Sequence, residues 1–533
     1  MDDKVRLPEK DPPKEASVRS ECELSSQESE TLRREIAGLR SVNAQLLNDV
    51  RWLQEEVTAR DRLIQGIYAG RVWRMVAPLF HVHHFARRLL GPSQPSEARR
   101  GGEAAESLIG VAAATGPRPS VDARADAGEP IPCRFPVQDG RCDPRTGTTR
   151  ERPEHYDVLC LGVLDWDFVF QRPHQIAVHL AQAGHRVFYV SPGKRCAPHE
   201  RRGFVARQRR ENVYEIALED YGPVKFWGGE APDDSLDLIC AALDSLRQTY
   251  DVVDAVVLVQ QPFWRPVSSR LRQTLGWRIV YDCMDDWAGF AEVDPAVRAI
   301  ERELVRESDL MLVSSQTLLD KWADSKGDQC VLVRNACDFN HFRLAQPNDL
   351  LDGMKRPLVG YFGAIAEWFD FELVQLLARE RPQYTFVFLG WPAPGIDVSR
   401  LRGLPNVHFL GRQVYSLLPY YLYNFDACVI PFLVNELTQA VDPVKLYEYI
   451  TLGKPVVATR MAELLNYAGY LYIADSHRDF LAKLDAALIE SDADLVRRRT
   501  DLAQRNTWHA RVQLIEEHIE RIRSGTADGV SVS

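Results

Sequence analysis

The sequence predicts an α/β protein with two doubly wound, Rossmann-like domains, preceded by an N-terminal coiled coil. Three observations carry this. From Tyr156 onward, short apolar runs alternate with amphipathic helical stretches, the signature of parallel sheets covered by helices on both faces. After residue 350 the alternation restarts, so there are two series, each about the length of an ordinary domain. Ahead of both, Leu32, Leu39, Leu46 and Leu53 occupy one heptad position, and Ile36, Asn43, Val50, Val57 and Ile64 the other.

Composition narrows the function classes. The chain has 533 residues, a net charge of −10 and a pI near 5.8, which argues against a broad nucleic-acid surface. Its ten cysteines are scattered without zinc-like or C-x-x-C spacing, as expected of free thiols in a reducing cytoplasm. The polar opening "MDDKVRLPEKDPPK" is not that of a secretory signal, and no apolar run is long enough to span a membrane.

Residues 1–28 are polar and read as disordered. The seam spans 29–66. Leucine at d with β-branched residues at a favours a parallel pair of strands, and Asn43 at an a position sets register, so a homodimer is expected. Residues 67–91 carry Arg71, Arg74, Arg87 and Arg88 with Trp73, Phe80 and Phe85 interleaved and no acid. Such a basic amphipathic segment suits either a membrane interface or packing on the coil. Residues 92–153, rich in Gly, Ala, Pro, Ser and Arg, read as a flexible linker.

The first domain is expected over 154–345. Its strands are "YDVLCLG", "RVFYVSP", "AVVLVQQP", "RIVYDC" and "LMLVSS", with "QRPHQIAVHLAQAGH" a helix between the first two. The second is expected over 346–524, with strands "RPLVGYFG", "YTFVFLG", "NVHFLG", "ACVIPF" and "KPVVAT"; 525–533 is a tail. Ligands of such sheets bind at the carboxyl ends of the strands, and a cleft between two such domains is the natural site.

One stretch near the end concentrates chemistry. In "VDPVKLYEYITLGKPVVAT", Asp442 suits an N-cap, Pro443 the first helical position and Gly453 the positive-φ residue that ends the helix. Lys445 and Glu448, three apart, share a face. That face is either an ordinary surface pair or a ligand site. No G-x-G-x-x-G follows a strand and no Walker A sequence occurs, which disfavours hydride and phosphoryl transfer. Asp165-Trp166-Asp167 can hold a metal or merely shape a loop, and the loop reading is preferred.

Several of these stretches resemble the GT-B glycosyltransferases of family 4 (glycosyl transferases group 1), of the bacterial surface-polysaccharide type. They are "QRPHQIAVHLAQAGHRVFYVSP", "LVRNACDFNHF", "LVGYFGAIAEWFDFELV", "NVHFLGRQVYSLLPYYLYNFDACVIPF" and "KLYEYITLGKPVVAT". The resemblance covers about residues 155–520. It implies two domains in GT-B arrangement, the first binding an acceptor and the second a nucleotide-sugar. It also implies transfer of the sugar to a glycan or lipid-linked acceptor with retention of configuration.

Glu448, five residues before Gly453, matches the second of the family's paired glutamates; the first falls on Ala440, with Glu436 four residues early. The basic pair that follows the first donor-domain strand is missing, since "FGAIAEWFD" has Ala364 there. Lys445 is the candidate replacement and Arg412 the second choice. With Thr438 they would meet the leaving diphosphate, Glu448 the ribose, and Gly363 would let backbone approach the ligand. On the acceptor side the candidates are Arg172, His174 and the aspartates of "YDCMDDW", Asp282 favoured over Asp286, with Asp285 between them. No metal or other cofactor is required when the protein supplies the charge itself. The expected location is cytoplasmic, peripheral at the inner face of the membrane. The rivals are a nucleotide-sugar epimerase of the same fold and a coiled-coil scaffold that has lost catalysis.

Overall fold

The computed structural model describes residues 156–196, 203–219, 221, 233–290, 293–393 and 395–524. The expected coiled coil, basic segment, linker and both tails lie outside the described residues.

The first domain runs β1 (Asp157–Leu161), α1 (Arg172–Gln182), β2 (Val187–Cys196), β3 (Phe204–Arg210), β4 (Val213–Glu219), α2 (Asp233–Thr249), β5 (Ala255–Val259), α3 (Arg265–Leu275), β6 (Arg278–Cys283), α4 (Val297–Glu307), β7 (Leu310–Val313), α5 (Gln316–Lys326) and β8 (Cys330–Leu332). Its strands lie in the order β3-β4-β2-β1-β5-β6-β7-β8, all parallel except the edge strand β3. The central strands DVLCL and AVVLV are buried at every position because helices cover both faces. The β3–β4 hairpin is not among the expected strands. It turns at Asn212, whose φ of 56° suits asparagine, and β3 carries Arg207, Arg209 and Arg210 on an edge.

The second domain runs α6 (Phe339–Phe342), β9 (Leu358–Phe362), α7 (Phe371–Glu380), β10 (Thr385–Leu389), α8 (Ser399–Arg402), β11 (Val407–Phe409), α9 (Leu418–Asn424), β12 (Ala427–Ile430), α10 (Glu436–Gln439), α11 (Val444–Tyr449), β13 (Val456–Thr459), β14 (Tyr472–Ala474), α12 (His477–Leu488), α13 (Ala493–Arg505) and α14 (Trp508–Ser524). Its six strands are parallel in the order β11-β10-β9-β12-β13-β14. Helix α14 does not stay with this domain. Trp508, Val512, Ile515 and Ile519 join the core formed by Ile176 and Leu180 of α1 and Val280 of β6. The chain therefore crosses back, so that this last helix packs on the first domain.

Asp442 is not the N-cap of α11, which begins at Val444 with Pro443 at the cap. Its carboxylate is turned instead to the interdomain connection: it accepts from the Asn335 N–H (2.6 Å) and from the Tyr447 hydroxyl (3.0 Å). Gly453 takes the expected left-handed conformation, with φ 66°, after a short 3-10 turn.

Candidate functional site

The carboxyl end of β9 organises the donor-side candidates. Gly363 follows the strand with φ 140°, a conformation that disfavours any other residue. The space a side chain would need is filled by Lys445, whose Nζ lies 2.7 Å from where a Cβ would stand. The ammonium also lies 5.5 Å from the ring centroids of both Tyr361 and Phe432. Helix α11 thus delivers a cation to the strand end where the basic residues of the family pattern are missing. Among the described residues no carboxylate lies within ion-pair distance of it.

Glu448 stands one turn further along and is 8% exposed, and its carboxylate has no hydrogen-bond partner among the described residues. Burial raises its pKa and lowers that of Lys445; each opposes the shift of the other, and the Asp338 charge raises Glu448 further. A half-buried lysine and a buried glutamate, neither hydrogen-bonded nor ion-paired among the described residues, on one face at a strand end, form a site prepared for charge and hydroxyls that a ligand brings.

The other candidates are placed differently. Thr438 is 1% exposed, and its hydroxyl donates to the Leu433 carbonyl (2.6 Å) and accepts from the Asn435 N–H (3.0 Å), so it caps the single turn of α10. Arg412 donates to the Asp167 carbonyl (2.9 Å) and lies against the rings of Phe168 and Trp391 (5.6 and 5.1 Å), which makes it a bridge between the domains. Asp165 accepts from the Gly193 N–H (2.6 Å) and Asp167 pairs with Lys194 and Arg209 (2.5 and 2.8 Å), so that triplet shapes a loop.

On the acceptor side the expected residues are engaged by the protein itself. Asp282 is fully buried and its carboxylate is gripped by Arg172 Nε and Nη2 at 2.7 to 3.2 Å. Arg172 also donates to the Val333 carbonyl (2.8 Å) and to Asn335 Oδ1 (3.2 Å). The two residues occupy each other and clasp α1 to β6. His174 is fully buried between Tyr189 and Phe170, with ring centroids 5.3 and 5.4 Å away. Burial pulls its pKa down to about 4, so it is neutral at physiological pH, with Nδ1 accepting from the Gln171 N–H. Both side chains, Asp282 and His174, are enclosed by protein in the described structure. Of the three candidate aspartates, Asp285 is placed differently again. It is half-buried and has no hydrogen-bond or ion-pair partner among the described residues. Asp286, by contrast, caps Ala288 and pairs with Lys321 (3.1 and 2.9 Å).

The connection between domains is polar and closed. Arg334 pairs with Glu463 (2.7 Å), and Asn335 holds Asp442 through its N–H and through its amide group to the Asp442 carbonyl (2.5 Å). Burial pushes the Asp442 carboxyl up to about 7, against the lowering pull of the Asn335 N–H. Between the ordinary carboxylate range and that value, the native state keeps a proton that the unfolded chain has released. Stability should therefore fall as pH rises through this window, by roughly 1.4 kcal/mol per pH unit from this group. Denaturant melts from pH 4 to 8 should show a shallower decline for Asp442→Asn than for the wild type. Parallel curves would remove Asp442 as the cause.

The chain is similar to several known proteins. Residues 356–490 match the family described as Glycosyl transferases group 1. A putative teichuronic acid biosynthesis glycosyltransferase of Bacillus subtilis is 27% identical over 254 residues, covering 44% of this chain and 64% of that protein. The matched region thus spans less than two thirds of that relative. Sucrose-phosphate synthase from Thermosynechococcus elongatus superposes with a TM-score of 0.54 at 16% identity, covering 70% of this chain and all of the other. Anabaena HepE, solved with UDP and glucose, superposes with a TM-score of 0.52 at 15% identity, covering 69% of this chain and all of the other. The described domains have the GT-B glycosyltransferase fold.

Proposed function

We propose that the protein is a glycosyltransferase that moves a sugar from a nucleotide-sugar to a glycan or lipid-linked acceptor in surface polysaccharide biosynthesis, with retention of configuration and without a metal. The observation that carries the reading is the Lys445–Glu448 face against Gly363, where among the described residues neither side chain has a hydrogen bond or ion pair, within the region that matches the group 1 family. The polysaccharide context follows the teichuronic acid relative. In the reaction the bond from the anomeric carbon to the diphosphate breaks, and negative charge grows on the leaving group. A cation held in place before that charge develops stabilises the transition state more than the ground state. Glu448 is suited to accept hydrogen bonds from the ribose hydroxyls.

The test is nucleotide release from a panel of UDP-, GDP-, ADP- and dTDP-sugars, with and without lipid extracts as acceptor. The expected result is release that depends on one donor class and rises with acceptor. A free isomerised sugar nucleotide would select the epimerase, and no turnover with any donor the scaffold.

Among the described residues no helix is long and apolar enough to cross a membrane. Attachment to the inner face of the membrane through residues 67–91, and dimerisation through 29–66, are part of the same proposal, motivated by the four arginines and by the leucine seam with Asn43. Light scattering should give a dimer for the full chain at micromolar concentration, and Leu39→Lys with Leu46→Lys should give a monomer. A monomeric full chain contradicts the seam reading.

A further inference from the structure

Between the first turn of α7 and α8 lies a cavity of about 660 Å3. That is the size of an ordinary small-ligand pocket, roughly 300 to 1,000 Å3. Phe371, Glu372 and Gln375 of α7, Asp397 and Arg400 at α8, and Leu433 beyond β12 line it. The start of α12 closes one side, where His477 Nε2 lies 2.8 Å from Asp370 Oδ2. The other oxygen of Asp370 accepts from the Leu373 N–H (2.8 Å), so this pair fixes the wall by tying two helix ends together. The remaining polar groups are available: among the described residues, the side chains of Glu372, Gln375 and Arg400 make no hydrogen bond or ion pair. The cavity is separate from the donor face but backs onto it. Phe369 and Phe432 form a bridge between the loops after β9 and β12, and the Leu433 N–H donates to the Trp368 carbonyl (2.8 Å). Successive side chains of an extended segment point to opposite sides. Here Phe432 lies against Lys445, and the next residue, Leu433, lines the cavity.

We infer that this cavity is a second saccharide-binding site, apart from the donor face, which holds a neutral segment of a glycan chain. The choice of a glycan among neutral polyols rests on the glycosyltransferase reading above; the class of ligand follows from the lining. The half-buried ring of Phe371, 5.1 Å from that of Phe369, offers an apolar face to the C–H groups of a pyranose. Around it stand a carboxylate, an amide and a guanidinium, the acceptors and donors that ring hydroxyls require. An anion is disfavoured, because Asp370, Glu372 and Asp397 outnumber the one guanidinium of Arg400 in the lining. A purely apolar ligand would cover these polar groups without pairing them. A glycan anchored here stays with the protein after its growing end leaves the donor, which raises the effective concentration of that end for the next transfer.

The test is titration calorimetry of the full chain with neutral oligosaccharides (maltopentaose, mannopentaose and penta-N-acetylchitopentaose) and with pentagalacturonate as the anionic control. At least one neutral probe should bind, and pentagalacturonate should bind roughly tenfold more weakly or not at all. Phe371→Ala, Gln375→Ala and Arg400→Ala should each weaken the neutral probe about fivefold, the scale of one lost ring contact or hydrogen bond. Lys445→Ala should leave its affinity unchanged. Wild-type affinity in all three cavity variants, or no binding of any neutral probe, would overturn the inference. So would loss of binding in Lys445→Ala, which would put the saccharide on the donor face. If the probe bound as expected and no nucleotide-sugar did, the donor reading would fall and this one stand, so the two failures are distinguishable.

Discussion

Lys445→Ala is expected to lower kcat by roughly 10²-fold or more, with donor KM changed far less. The ammonium sits at the end of β9, between the rings of Tyr361 and Phe432, against Gly363, and among the described residues no carboxylate lies within ion-pair distance of it. Its interaction with a diphosphate strengthens as the glycosidic bond breaks, so its loss acts on the transition state. Lys445→Arg would not rescue, since the bulkier guanidinium has no room between Gly363 and the two rings. Steady-state kinetics with denaturant melts decide the matter. A surface ion pair would leave kinetics unchanged and shift stability by less than about 1 kcal/mol.

The second large effect is on stability. Removing either Asp282 or Arg172 should cost about 3 to 5 kcal/mol, because each leaves the other as an uncompensated buried charge. Arg172 would also abandon its bonds to Val333 and Asn335, which tie β8 to α1 near the domain connection. A double-mutant cycle with Asp282→Ala and Arg172→Ala should show strong coupling, the double variant costing much less than the sum. If Asp282 were a substrate-touching acid, Asp282→Ala would instead melt like the wild type and lose turnover. Urea melts of the three variants separate these outcomes.

Much of the fold was legible because its strands are short, apolar and bounded by loop residues. Runs such as AVVLV and LMLV admit no other placement once helices flank them. The β3–β4 hairpin escaped because its edge strand carries arginines and alternates weakly. The path of α14 escaped because a helix stripe says what is buried, not against which sheet. The Lys445–Glu448 face was readable since helix spacing and the following glycine and strand are local facts. The acceptor side was not. Whether Asp282 or Asp285 is available depends on Arg172, 110 residues away in the chain from Asp282, and the same holds for Asp442 and its partner Asn335. Carboxylates three residues apart look alike until their partners are known.

The central claim is that the face of α11 at the end of β9 holds the donor. Titration calorimetry of the donor selected by the panel, into wild type and Glu448→Gln, tests it most directly. Hydrogen bonds to a charged group are worth about 1.5 to 3 kcal/mol, so the variant should bind the donor roughly ten- to a hundredfold more weakly while melting like the wild type. Equal dissociation constants for the two proteins would contradict the account and remove the donor from this site.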